Sequence, residues 1–256
     1  MSLAACAEIV RRGDPVRFRA AMSCPPPARE VLFPLYAFNV EVSRAPYASE
    51  EPMIAEMRLH WWREALEEIG AGGRVRSHEV TDPLAALVRE RGLPVEVLDR
   101  AAAARRWDIW REPFEDGAAF SAHLERVAGD LAWVSALGLG AAAAEEEEAV
   151  RAGAWGAGLA RWFLAVPEME ARGRMPLPDG REETVRALAR EGLARLDAGR
   201  AARTEGAVLA LRHGWDAGAV LKAAAREPGR VKDGRLGPGE ARSALRLAWV
   251  AVRGRW

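Results

Sequence analysis

Residues 49–73 read Ser49-Glu50-Glu51-Pro52-Met53-Ile54-Ala55-Glu56-Met57-Arg58-Leu59-His60-Trp61-Trp62-Arg63-Glu64-Ala65-Leu66-Glu67-Glu68-Ile69-Gly70-Ala71-Gly72-Gly73. Apolar residues recur at steps of three or four through Ile54, Met57, Trp61, Ala65 and Ile69, which predicts one buried face of an α-helix. Ser49 offers a cap, Glu50 and Glu51 an acidic start, and Pro52 an early proline. The glycines at 70, 72 and 73 end the run. A second apolar face follows Trp155, Leu159, Trp162, Phe163 and Val166, with Glu145 to Glu148 on its N-terminal side, where negative charge suits the helix dipole.

Outward from these two segments the pattern stays helical. Breaks fall at Pro25-Pro26-Pro27, around Pro94, at Pro113, from Gly173 to Gly180 and from Pro228 to Gly239. The pieces between them are helix-length, and no run of alternating strands competes with them. The expectation is an all-α chain forming a single domain over 1–256, with 228–239 a loop before a last helix from about Glu240.

Charge is balanced, 37 basic against 37 acidic side chains, but the types are lopsided. Lys222 and Lys232 are the only lysines, and ten aspartates stand against 27 glutamates. The nearest two aspartates, Asp108 and Asp116, lie eight residues apart, so no motif with two aspartates within a helical turn exists. Neutral charge argues against a nucleic-acid partner. Cys6 and Cys24 are too few for a disulfide framework or a cysteine zinc site. No basic, apolar leader precedes Cys6, and no run nears the roughly 20 apolar residues of a membrane span, so the expected location is the cytoplasm.

Individual constellations are modest. His60, four residues before Glu64, has metal-ligand spacing, but lacks a third ligand and reads better as part of a solvated face with Arg63, Glu67 and Glu68. Glu145 to Glu148 reads as a solvated helix start. His123 and His213 have no partner motif. Arg172-Gly173-Arg174 before Pro176-Leu177-Pro178 is either a plain surface loop or a pair of forked donors able to clamp an anion such as a diphosphate. The last helix mixes Arg242, Arg246, Arg253 and Arg255 with Leu245, Leu247, Trp249, Val250, Val252 and Trp256. The plainer reading docks it on the core with arginines outward; the alternative lays it on a membrane surface.

Arg29, the run Leu32-Phe33-Pro34-Leu35-Tyr36-Ala37-Phe38-Asn39-Val40-Glu41 and the run Met57 to Leu66 together resemble the squalene/phytoene synthase family. Val127-Ala128-Gly129 and Arg172-Gly173-Arg174-Met175-Pro176-Leu177-Pro178 follow in the family's order. The resemblance implies a helical bundle of the isoprenoid-synthase type around a central cavity. Active members join two isoprenoid diphosphates using Mg²⁺ held by two aspartate-rich motifs. In their places this chain carries Ser43-Arg44-Ala45-Pro46-Tyr47 and Leu164-Ala165-Val166-Pro167-Glu168-Met169-Glu170, while Pro176 stands for the family's loop tyrosine and His123 for an aromatic position.

The variant with Asn39 and Glu41 is most similar to a non-catalytic branch that includes the mitochondrial assembly factor of respiratory complex I and its alphaproteobacterial relatives. The resemblance therefore implies an assembly or scaffolding role, with complex I subunits or an isoprenoid or lipid ligand as partners and no cofactor. A divergent prenyltransferase using Mg²⁺, with Glu41, Glu168 and Glu170 replacing aspartates, is the alternative. Peripheral contact with the inner membrane through the C-terminal helix is a further expectation. The residues implied for the ancestral diphosphate site are Asn39, Glu41, Arg44 and Arg58 at its first half and Arg172 and Arg174 at its second. In a non-catalytic member these become internal ion pairs, with Arg44 on a glutamate the expected case.

Overall fold

The computed structural model describes residues 2–110, 112–141 and 144–254. Among them there is no strand. The helices are α1 (Leu3–Gly13), α2 (Pro15–Met22), α3 (Pro26–Arg44), α4 (Pro52–Gly70), α5 (Thr81–Arg91), α6 (Val95–Ala103), α7 (Arg106–Trp110) and α8 (Gly117–Leu124). Then come α9 (Asp130–Gly138), α10 (Ala144–Ala171), α11 (Glu182–Gly199), α12 (Glu205–Leu211), α13 (Ala217–Arg226), α14 (Gly229–Lys232) and α15 (Glu240–Arg253). The breaks read from sequence separate these helices. Pro26 begins α3, Pro94 caps α6, and the segment after Pro228 adds only the one-turn α14 before α15 starts at Glu240.

Two large apolar cores form, beside two smaller clusters among the described residues. One gathers side chains of α1, α3, α4, α5, α6 and α9 around Leu32, Leu35, Phe38 and Leu66. The other gathers α8, α10, α11 and α13 around Trp155, Leu159, Phe163 and Leu221. α10 and α11 approach closely because glycines face each other: a Cβ on Gly156 would lie 2.7 Å from the Gly192 carbonyl oxygen. Any larger side chain there would push the helices apart.

The face expected of α4 is rotated from the one observed. Ala55, Leu59, Trp62, Leu66 and Ile69 are buried with Ala65, whereas Ile54 and Met57 are exposed and Trp61 is half-buried. This helix carries two apolar stripes. The one that includes Trp62 packs under the first core, and the other is left on an open groove. The face expected of α10 is confirmed at Trp155, Leu159, Phe163 and Val166, with the half-buried Trp162 donating its indole N–H to the Pro176 carbonyl at 2.9 Å.

The glutamate run at the start of α10 is not uniformly solvated. Glu146 is buried and accepts the backbone N–H groups of Arg203 and Thr204 at 2.6 and 2.8 Å, tying α10 to the turn before α12. The side chain of Glu145 lies outside the described residues, as do Arg255 and Trp256. No described helix is long and apolar enough to cross a membrane.

Candidate functional site

Between the two cores lies a cavity of about 390 Å³. The α1–α2 junction, α3, the segment 105–108, the 127–128 turn and α10 all contribute to its wall. Residues 125–129 form a π-helical turn between α8 and α9, which brings Val127 and Ala128 to the cavity. Single π turns of this kind often mark functional positions in helices.

Arginines dominate the lining: Arg17, Arg44, Arg105, Arg161, Arg172 and Arg174 face three carboxylates, Asp14, Asp108 and Glu168. Each carboxylate is already engaged. Asp14 caps α2 through the Arg17 backbone N–H at 3.0 Å and accepts from Arg17 Nη1 at 2.7 Å and Arg161 Nη2 at 2.9 Å. Asp108 accepts from Tyr47 Oη at 3.0 Å and from Arg174 Nη1 at 3.3 Å, with Arg105 3.7 Å away. Arg174 also donates to the Asp108 carbonyl, and its Cζ lies over the rings of Tyr47 and Trp107, 5.3 and 5.4 Å from their centroids. Glu168 pairs with Arg172 at 2.6 Å near the mouth.

The electrostatics follow from this crowding. Burial works against a charged Asp14, but Arg161, Arg17 and the Arg17 amide outweigh it and hold the carboxyl well below the usual range. Burial lowers Arg105 and Arg161, although guanidinium remains charged at any ordinary pH. Burial, with Asp108 beside it, pushes Tyr47 up to about 12. The buried Nε of Arg17, Nε of Arg105 and Nη1 of Arg161 find no acceptor among the described residues. His123 sits in a box of Trp107, Phe114 and Trp162, where burial brings it down to about 3, so it is neutral.

The expected site residues divide. Asn39, Arg44, Arg172 and Arg174 line the cavity, and buried Asn39 accepts from Arg105 Nη2 at 3.5 Å. Glu41 and Arg58 do not join them. They line a neighbouring groove with Ile54, Met57 and Trp61, which shares only Arg44 with the cavity lining, because positions two apart on α3 diverge by about 200° and the exposed Arg58 leaves α4 on its outer side. Arg44 is not a buried ion-pair partner either: it reaches Glu41 at 4.0 Å with about half of its side chain exposed. The internal pairs are instead made by Arg17, Arg161, Arg105 and Arg174, of which sequence reasoning singled out only the last. The available signal was Arg161 on an otherwise apolar helix face, next to Trp162 and Phe163. His60 and Glu64 meet at 3.3 Å on the surface, where Arg76 takes up both Glu64 and Glu68.

A family model for squalene/phytoene synthase matches residues 10–255. The chain belongs to the squalene/phytoene synthase family. A dehydrosqualene synthase crystal structure superposes on it with a TM-score of 0.79 at 14% identity, covering 98% of this chain and 95% of that one. Squalene synthase HpnC from Alicyclobacillus acidocaldarius superposes with a TM-score of 0.64 at 18% identity, covering 98% and 94%. At such identities the likeness concerns the isoprenoid-synthase helical fold alone.

Two curated relatives match over shorter stretches. The Drosophila melanogaster homolog of NADH dehydrogenase (ubiquinone) complex I assembly factor 6 is 32% identical over 80 residues, 31% of this chain and 24% of that protein. The Homo sapiens assembly factor 6 is 31% identical over 64 residues, 25% of this chain and 19% of that one. The matched stretch thus spans about a quarter of those relatives or less.

The Mg²⁺ that synthases of this family use does not fit the donor set of this cavity. Such a cation needs oxygen ligands of negative charge, and each carboxylate here is held by arginine. Among the described residues no group of three or more His, Cys, Asp or Glu side chains is arranged to hold a metal.

Proposed function

We propose that this family member is non-catalytic and acts as an assembly or scaffolding factor of the respiratory complex I type. The observation that carries the reading is the cavity of paired carboxylates, Asp14 with Arg17 and Arg161 and Asp108 with Arg105 and Arg174. A synthase must bring several cations to a departing diphosphate. A cavity whose own cations already neutralise its carboxylates repels them. Glu41 turns to another groove, Glu168 is held by Arg172, and Glu170 is exposed and outside the lining, which speaks against glutamates replacing the missing aspartates. The partial likeness to complex I assembly factor 6 supports the choice of role.

Two measurements test it. Purified protein with farnesyl or geranylgeranyl diphosphate and Mg²⁺ is expected to release no diphosphate under conditions where an active relative turns over; measurable turnover removes the reading. Deleting the gene is expected to lower assembled complex I, and normal assembly removes the role.

A second reading keeps ligand binding without chemistry. Six arginines around about 390 Å³ favour an anionic headgroup, such as that of an isoprenoid or lipid, over a neutral one. Mass spectrometry of native protein would detect such a ligand, and its absence together with no binding of added prenyl diphosphate would dismiss it.

A further inference from the structure

α15 has an unusual distribution of exposure. It docks through Ser243 and Val250, the only two fully buried residues of the helix, with Leu247 and Ala251 half-buried beside them. Ser243 Oγ anchors it by donating to Asp216 and accepting the Trp215 indole N–H at 3.1 Å. Opposite lies an uncharged arc. Ala241, Ala244, Leu245, Ala248, Trp249 and Val252 are all exposed, and at 3.6 residues per turn they fall within about 140° of the helix circumference. The three large ones are strongly exposed: Leu245 at 74%, Trp249 at 57% and Val252 at 86%.

The arginines occupy neither the outer face nor a random scatter. Arg242, Arg246 and Arg253 form a narrow stripe along one edge of the apolar arc. That edge overlooks a groove of about 1320 Å³ between α15 and the α2–α3 turn. Arg29, Arg200, Arg203, Arg212, Arg246 and Arg253 line it against a single acid, Glu205. Arg29 and the buried Arg212 donate to the Met22, Ser23 and Cys24 carbonyls of the α2–α3 turn, and Arg200 pairs with Asp197. Among the described residues, the exposed Arg203, Arg246 and Arg253 have no carboxylate partner, so they are the cations the groove presents. Trp249 stands at the junction, with the Arg253 guanidinium 4.0 Å from its ring.

We propose that this face seats on the surface of an anionic phospholipid bilayer, with α15 lying in the interface plane. The apolar arc enters the acyl boundary, Trp249 sits at headgroup level, and the arginine stripe with the groove behind it meets lipid phosphates. Charge decides the occupant. A second copy of the chain would set one arginine-lined groove against another, whereas an anionic bilayer satisfies both the apolar arc and the arginines at once. No described helix can cross a membrane, so the attachment is peripheral. This inference does not depend on whether the central cavity is catalytic.

The test is sedimentation of the full chain with vesicles of phosphatidylcholine alone and of phosphatidylcholine with phosphatidylglycerol. Binding is expected to the second kind only and to weaken in high salt. The Leu245→Ser/Trp249→Ala variant should partition roughly tenfold less well with unchanged melting temperature, since it alters exposed side chains. Arg246→Glu/Arg253→Glu should lose a similar factor. No binding to the anionic vesicles overturns the proposal. So does an apolar variant that binds as well as the original chain, which would reduce the effect to charge adhesion. Equal affinity for soluble polyglutamate, again insensitive to the apolar variant, would assign the groove to an acidic protein segment and overturn it as well.

Discussion

Arg161 on α10 donates through Nη2 to Oδ1 of Asp14, 2.9 Å away and 147 residues distant in sequence. The same carboxylate holds Arg17 at 2.7 Å, so one aspartate ties α10 to the start of α2 across the cavity. The carboxylate is both a helix cap and the counter-charge for two guanidinium groups.

Removing Asp14 is therefore expected to be costly. Asp14→Ala leaves Arg17 and Arg161 without a counter-charge and α2 without its cap, a loss of about 3 to 5 kcal/mol for breaking a buried pair. Urea unfolding measures it. A loss below about 1 kcal/mol would mean the two arginines find water or another acceptor.

Arg174 should behave similarly and refuse its conservative replacement. Its side chain is 3% exposed, bonds Asp108 and sets its charge over the rings of Trp107 and Tyr47. Arg174→Ala is expected to cost about 3 kcal/mol or more. Arg174→Lys should recover less than half, because an ammonium cannot reproduce the forked donation to the Asp108 carboxylate and carbonyl. Full recovery in thermal unfolding would contradict that geometry.

Arg44→Ala is expected to change stability by less than about 1 kcal/mol, since the pair with Glu41 is stretched and half exposed. This reverses the expectation from sequence. A large drop in melting temperature would show that Arg44 carries a contact beyond Glu41.

Acid should destabilise the protein in two stages. His123 and His213 are brought to about 3 by burial, so below about pH 6.5 the unfolded chain takes up protons that the folded chain does not. Stability falls from there with a slope approaching about 1.4 kcal/mol per pH unit for each histidine. Asp14, held below its ordinary range, adds stability that is full above about pH 4 and is lost as pH falls further toward its folded value. His123→Phe should about halve the slope of the first stage in denaturant titrations between pH 7 and 5, with His213 supplying the rest. An unchanged slope would mean His123 is protonated in the folded state.

The all-helical class, the helix boundaries at Pro26, Pro94 and Glu240, and the buried face of α10 were legible in the sequence. Period and proline act within a few residues, so a linear pattern records them. The scarcity of aspartate was legible too, and with the resemblance it pointed to an altered metal site. Long-range geometry decided the rest. Whether Met57 or Leu59 faces the core depends on which stripe of α4 meets its neighbours, and both stripes are apolar. Asp14, Arg17, Arg105, Asp108 and Arg161 look like ordinary charges until folding brings them to one cavity. Pairing of charges across a hundred residues leaves no local trace, since it is set by desolvation and distance. For the same reason the sequence of α15 contained both of its apolar sides. Only docking through Ser243 and Val250 determined that Leu245, Trp249 and Val252 face outward.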